Sequence, residues 1–116
     1  MDITIIGMSH IGLVDSLVLG SYFNHVIAYD GDKEIISLLR EGVSPYEEPF
    51  VQDLLKETKT YVRFTSNIKD TIRPSEIIAI DVDTHYNEDG TFNLDGYYAA
   101  LDLVAKNATK DCIPPR

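Results

Sequence analysis

Apolar residues fall into two rhythms along this chain. Four short runs rich in β-branched residues, at 3–6, 25–29, 61–65 and 76–82, read as strands. Between them apolar positions recur every three or four residues, the helical period. The first such stretch, 10–23, places Ile11, Val14, Leu17, Val18, Ser21 and Tyr22 on one face, with Gly20 and Ser21 as points of close packing and Asn24 as the stop. In "DGDKEIISLLREG", Asp32 caps a helix, Ile35, Ile36, Leu38 and Leu39 form its stripe, and Gly42 ends it. The prolines of "VSPYEEPF" demand a loop. Residues 51–57 and 68–72 read as short helices, the latter capped by Ser66 or Asn67. Residues 83–93 read as a long polar loop. The last helix, 94–108, turns Tyr97, Leu101 and Val104 or Ala105 inward, and Tyr97 and Tyr98 serve packing and an interface edge.

Strands that alternate with helices predict an α/β fold: a Rossmann-like, doubly wound parallel sheet of about four strands in the order 3-2-1-4, one domain over 1–116. The ligand crevice of such a sheet lies beyond the carboxyl ends of strands 1 and 4. The loops at 7–12 and 83–93 therefore converge there.

The first of these loops carries a motif. "GMSHIG" sets Gly7, Ser9 and Gly12 where the dinucleotide fingerprint has three glycines, directly between a strand and a helix. Gly7 permits the turn, the second position lies under a pyrophosphate, and Gly12 lets helix and strand approach. Ser9 is the smallest polar replacement at that second position. Its hydroxyl is a phosphate donor, but its bulk narrows the gap, and the expectation is weaker binding. Asp30 ends the second strand, where a carboxylate accepts from ribose hydroxyls and repels a 2′-phosphate, favouring NAD over NADP.

The net charge of −9 opposes nucleic-acid binding and means that an anionic ligand must be held by local donors. No apolar run approaches the ~18 residues of a membrane span. The N-terminus has no basic segment of the kind that opens a secretory signal. One cysteine, Cys112, allows neither an internal disulfide nor a cysteine zinc site, and a reducing cytoplasm is the expected setting. His10, His85, Asp81 and Asp83 make a conceivable metal set, and "DTHYNEDG" has the composition, though not the spacing, of a calcium loop. Polar loop residues beside a cofactor crevice are the simpler reading of both, and no metal is expected.

The motifs together resemble the N-terminal domain of the UDP-glucose/GDP-mannose dehydrogenase family over essentially the whole chain. The family's G-x-G-Y-V-G-L stands here as "GMSHIGL", and Asp30 matches its acidic strand end. S-P-I-Y-E-P-G-L is matched by Ser44, Pro45, Glu48 and Pro49, R-F-T-T-D by "RFTSN", and V-G-T-P with its D-E-D-G loop by Val82, Thr84, Glu88, Asp89 and Gly90. The resemblance implies NAD as cofactor. Gly7, Ser9, His10, Ile11 and Gly12 would cradle the pyrophosphate and Asp30 the adenosine ribose. Lys33 would approach the adenosine edge, and Val82, Asp83 and Thr84 would border the nicotinamide.

The family oxidises C6 of a sugar nucleotide, in reactions of the UDP-glucose to UDP-glucuronate type, by two hydride transfers to NAD through a cysteine-bound intermediate. The resemblance places that cysteine and the UDP-sugar pocket in a C-terminal domain. The expectation is therefore a chain that ends before a fifth strand, binds NAD, is inactive alone, and leaves room for a homodimer. Cys112 matches no nucleophile motif. The departures gather at the ligand face: Ser9 for glycine, His10 for tyrosine, Asp83 for a small residue, His85 for proline, and Asp81 where a small apolar residue is expected. A buried carboxylate is costly unless paired. These changes keep open a reading of another class, a non-catalytic Rossmann-fold module for interaction or assembly.

Overall fold

A computed structural model describes residues 3–22, 25–71, 77–82 and 85–107. Strand β1 (Ile3–Ile6) is buried along its whole length, since it lies between β2 (Val26–Tyr29) and β4 (Ile77–Ile80) and both its faces are covered. A strand in that place reads as an unbroken apolar run. With β3 (Val62–Thr65) the sheet has the order β3-β2-β1-β4, all parallel, with Ile3 opposite both Val26 and Ile77 and Val26 opposite Val62. The expected doubly wound topology is present.

Three helices, α1 (His10–Tyr22), α2 (Lys33–Arg40) and α3 (Pro49–Thr58), share one core with Ile3, Ile5, Val26, Ala28, Val62 and Phe64. The other core holds Ile6 and Tyr29 under Ala100 and Val104 of α4 (Asp95–Asn107). A 3₁₀ turn, Ile68–Asp70, follows β3. Asn67 caps it by accepting from the Lys69 N–H at 3.1 Å.

Local signals in α2 act as expected. The Asp32 carboxylate accepts from the N–H groups of Glu34 and Ile35, and Gly42, at φ 81°, closes the helix with Gly42 N–H to Leu39 O and Val43 N–H to Leu38 O. Helix α3 starts two positions before the expected 51, at Pro49, whose missing N–H is harmless in a first turn.

Helix α1 departs from its expected face. Ile11, Val18 and Tyr22 are exposed, whereas Gly12, Leu13, Ser16, Leu17 and Gly20 are buried. The helix is apolar on nearly every side, so close approach decides its orientation. Its stripe of small residues lies against the sheet, and a Cβ on Gly20 would sit 2.4 Å from Val62 Cγ2. Ser21 is exposed and takes no part in that packing. In α4 the inward residues are Ala100 and Val104, while Tyr97 and Leu101 are half-buried and Ala105 is exposed. The tyrosine rings of 97 and 98 meet edge to face at 6.0 Å.

Part of the expected 83–93 loop is a hairpin, with β5 (His85–Tyr86) antiparallel to β6 (Phe92–Asn93). Gly90, at φ 87°, makes its turn, and the Asp89 carboxylate accepts from both the N–H and the hydroxyl of Thr91, which holds its pKa below the ordinary value. The expected stop at Asn24, and Asp83, Thr84 and Cys112, lie outside the described residues.

Candidate functional site

The turn after β1 enters a tight space. Gly7 has φ 106°, donates its N–H to Tyr29 O at 2.8 Å, and leaves no room for a side chain: a Cβ there would lie 2.6 Å from the Asp81 carbonyl oxygen. At Gly12 a Cβ would lie 1.7 Å from Gly7 O. Both glycines are thus demanded by backbone contact.

Ser9 occupies the N-cap position of α1, its carbonyl accepting from Leu13 N–H at 2.9 Å. A capping serine ordinarily turns its hydroxyl onto the helix's own first N–H groups. This one does not: Ser9 Oγ is buried and without a hydrogen-bond partner among the described residues. The first turn of α1 itself holds no acidic side chain at its positive dipole end.

Asp30 stands immediately after β2. Its Oδ2 accepts from Met8 N–H and its Oδ1 from Asp32 N–H, each at 2.8 Å. Two bonds leave acceptor capacity on a carboxylate with about four lone-pair positions. The same bonds fix the carboxylate beside the glycine turn.

A cleft of about 260 Å³ opens between these pieces. It is lined by Gly7 and Ser9 from the loop, Tyr29 and Asp30 from the end of β2, Asp81 and Val82 beyond β4, and Gly96, Ala99, Ala100 and Leu103 of α4. It lies at the carboxyl ends of β1 and β4, where the strand order switches. The structure brings Gly7, Ser9, Gly12, Asp30 and Val82 together. Ile11 is exposed on α1, and Lys33 is exposed at the start of α2; neither lines the cleft. A larger groove of about 700 Å³ along β3 shares no lining residue with the cleft and contains none of the glycine turn.

Three features escaped sequence reasoning. The first is Tyr46, on the connection from α2 to α3, whose hydroxyl donates to Met8 O at 2.7 Å. Both backbone groups of Met8 are therefore held, the N–H by Asp30 and the carbonyl by Tyr46, and its buried side chain receives the Ser16 hydroxyl. On the same connection Glu48 Oε1 lies 3.2 Å from His10 Nε2, and the rings of His10 and Tyr46 meet edge to face at 5.7 Å. Nothing but the "SP…EP" loop signal pointed to this clamp. The second is the apolar wall given by α4. The third is the neighbour of Asp81. Asp81 is paired with Asp15 of α1, another acid, and its pKa is raised to about 6. Burial is the main cause, followed by the hydrogen bond and charge repulsion from Asp15. Burial and the adjoining Asp30 charge also raise the Tyr29 hydroxyl above its ordinary value.

Comparison with known proteins agrees with this geometry. Residues 1–113 match the profile described as UDP-glucose/GDP-mannose dehydrogenase family, NAD binding domain. UDP-glucose 6-dehydrogenase of Rickettsia felis and UDP-glucose 6-dehydrogenase YwqF of Bacillus subtilis are each 31% identical over 115 residues, covering 97% of this chain and 26% of their own length. A ternary-complex crystal structure of GDP-mannose dehydrogenase from Pseudomonas aeruginosa superposes with a TM-score of 0.89 at 24% identity, over 96% of this chain and 26% of that one. UDP-D-ManNAc dehydrogenase from Pyrococcus horikoshii gives 0.84 at 27%, over 93% and 27%. The chain thus spans about a quarter of the length of the relatives it matches. It belongs to the UDP-glucose/GDP-mannose dehydrogenase family, as the NAD-binding domain.

Proposed function

We propose that the cleft beside Ser9 is the seat of NAD, and that this single domain serves a sugar-nucleotide 6-dehydrogenase acting on a UDP-sugar. The observation that carries the reading is the Ser9 hydroxyl, buried and unpartnered on a residue that lines the cleft and stands between two obligatory glycines. A buried hydroxyl without a partner costs about 1–3 kcal/mol, and a phosphate oxygen beside it would recover that cost.

In this reading Gly7 and Gly12 allow the diphosphate close to the backbone, while Ser9 and the N–H groups of His10, Ile11 and Gly12 donate to it. Asp30 accepts from the adenosine ribose with its remaining lone pairs. Lys33 approaches the adenosine edge, and Val82, Asp83 and Thr84 border the nicotinamide. The bound group supplies a hydride acceptor; the chain's own residues bind and orient it.

A thiolate to hold the aldehyde, a base for the C6 hydroxyl and a sugar-nucleotide pocket would come from the remainder of a full-length dehydrogenase. UDP-glucose and NAD added to this chain alone are expected to yield no NADH. The cytoplasm is the proposed setting, and no helix among the described residues is long and apolar enough to cross a membrane.

Calorimetric titration with NAD tests the cleft. Binding in the micromolar to sub-millimolar range, with NADP weaker, supports it. No heat at millimolar NAD refutes it and returns the chain to the interaction-module reading.

A further inference from the structure

Two consecutive peptide units, both trans, make the turn after β1. A trans peptide sets its carbonyl and its N–H in opposite directions. In the unit joining Gly7 to Met8, the carbonyl oxygen lies against Gly12, leaving no room there for a Cβ, and the N–H donates to Asp30 Oδ2 at 2.8 Å. In the unit joining Met8 to Ser9, the carbonyl accepts from the Tyr46 hydroxyl at 2.7 Å. Three of the four polar groups are thus engaged within the protein. The fourth, the Ser9 N–H, meets no acceptor among the described residues. It points away from Tyr46, and Ser9 lines the cleft whereas Met8 and Tyr46 do not.

Tyr46 is itself held in place. It stands on the connection from α2 to α3, and Gln52 of α3 ties that connection down, donating to Gly42 O at 2.7 Å and accepting from Ser44 N–H at 2.8 Å. The Ser44 hydroxyl accepts from Tyr46 N–H at 3.1 Å and donates to Tyr46 O at 2.9 Å. Two residues further on, Glu48 meets His10, the first residue of α1. The connection therefore grips the turn on both sides of Ser9 before any ligand arrives. A donor whose direction is already set in the free protein costs little ordering when it binds.

We propose that Tyr46 is a positioning residue of the dinucleotide site: by holding the Met8 carbonyl it turns the Ser9 N–H into the cleft, where that N–H and the Ser9 hydroxyl together donate to the diphosphate. This rests on the dinucleotide reading of the cleft. Tyr46 acts on the phosphate portion of the ligand and not on adenosine. Without its hydroxyl the peptide between Met8 and Ser9 loses its anchor, and the same N–H must be ordered at each binding event.

The test is NMR titration of isotope-labelled protein with NAD, ADP and adenosine, in the wild type and in Tyr46→Phe. In the wild type the Ser9 amide proton is expected to move downfield as NAD or ADP binds, the mark of a new hydrogen bond to a charged oxygen, and to stay in place with adenosine. Tyr46→Phe is expected to weaken NAD and ADP several-fold, to shrink that downfield movement, and to leave adenosine as in the wild type. A general loosening of the fold weakens all three alike, and that result overturns the proposal. So does ADP affinity unchanged in the variant. A wild-type Ser9 amide proton that ignores bound NAD overturns it too, and that measurement needs no variant.

A ligand-free readout keeps the two readings apart. The Tyr46 hydrogen bond polarises the peptide that Met8 and Ser9 share, so the Ser9 nitrogen resonance of the free protein is expected to shift in Tyr46→Phe. An unmoved resonance overturns the positioning contact whatever the cleft binds. A shifted resonance with equal ADP affinity overturns the positioning role alone. NAD and ADP binding absent from both proteins overturns the dinucleotide reading and the positioning role with it.

Discussion

Replacing Ser9 by alanine is expected to move stability and affinity in opposite directions. Ser9 Oγ is buried without a partner, and an unmade buried hydrogen bond costs about 1–3 kcal/mol. Alanine removes the hydroxyl and keeps the Cβ, so the packing beside Gly7 and Gly12 is retained. Taking the lower end, the ligand-free protein gains about 1 kcal/mol, which for a domain near 100 residues raises the melting temperature by roughly 4–8 °C. The bound state loses a hydrogen bond to a charged oxygen, about 1.5–3 kcal/mol, so NAD affinity falls about ten- to hundredfold.

Scanning calorimetry of the ligand-free protein and NAD titration of the same preparation measure the two halves. Ser9→Gly separates donation from crowding. If the serine only narrows the gap, as the fingerprint pattern alone suggests, glycine tightens binding and alanine leaves it unchanged. A Ser9→Ala protein that melts lower than the parent and binds NAD equally well would refute the orphaned-donor reasoning.

Asp30→Ala is expected to weaken NAD binding by about 1–3 kcal/mol and to relax discrimination against NADP, read by paired titrations, since Met8 N–H loses its acceptor together with the ribose. Tyr46→Phe deletes only the hydroxyl that donates to Met8 O; it is expected to cost about 0.5–1.5 kcal/mol in urea unfolding and to weaken NAD binding several-fold, whereas equal affinity would leave Tyr46 a purely structural contact. Gly12→Ala is expected to abolish the native fold, as the added Cβ falls 1.7 Å from Gly7 O; a folded variant by near-ultraviolet circular dichroism would show that α1 can shift outward.

Much of the architecture is written locally. Asp32 and Gly42 bracket α2 because a cap and a left-handed stop act within a few residues of themselves. The buried runs of β1 and β2 mark interior parallel strands because each is covered on both faces. With the alternation of elements, those signals suffice for the order β3-β2-β1-β4. Gly7, Ser9, Gly12 and Asp30 were legible as a candidate site for a related reason: the fingerprint is a short-range pattern whose spacing follows from one strand, one turn and one helix.

Other features depended on which surfaces meet. The face that α1 turns to the sheet was not readable from a helix apolar on nearly every side; the fit of Gly12, Ser16 and Gly20 against the strands settled it. The hairpin at β5 and β6 rests on pairs only two residues long, below the length at which alternation gives a signal. Asp15 and Tyr46 are unremarkable polar residues in sequence, and they acquire roles only because the fold sets one under Asp81 and the other against Met8. Sequence by itself determined the elements, their order and the dinucleotide turn, since each depends on neighbours along the chain. Only the tertiary structure decided the orientation of α1, the clamp on Met8, the unpartnered hydroxyl of Ser9 and the raised pKa of Asp81, because desolvation and hydrogen bonding between distant segments exist only after the chain has closed on itself.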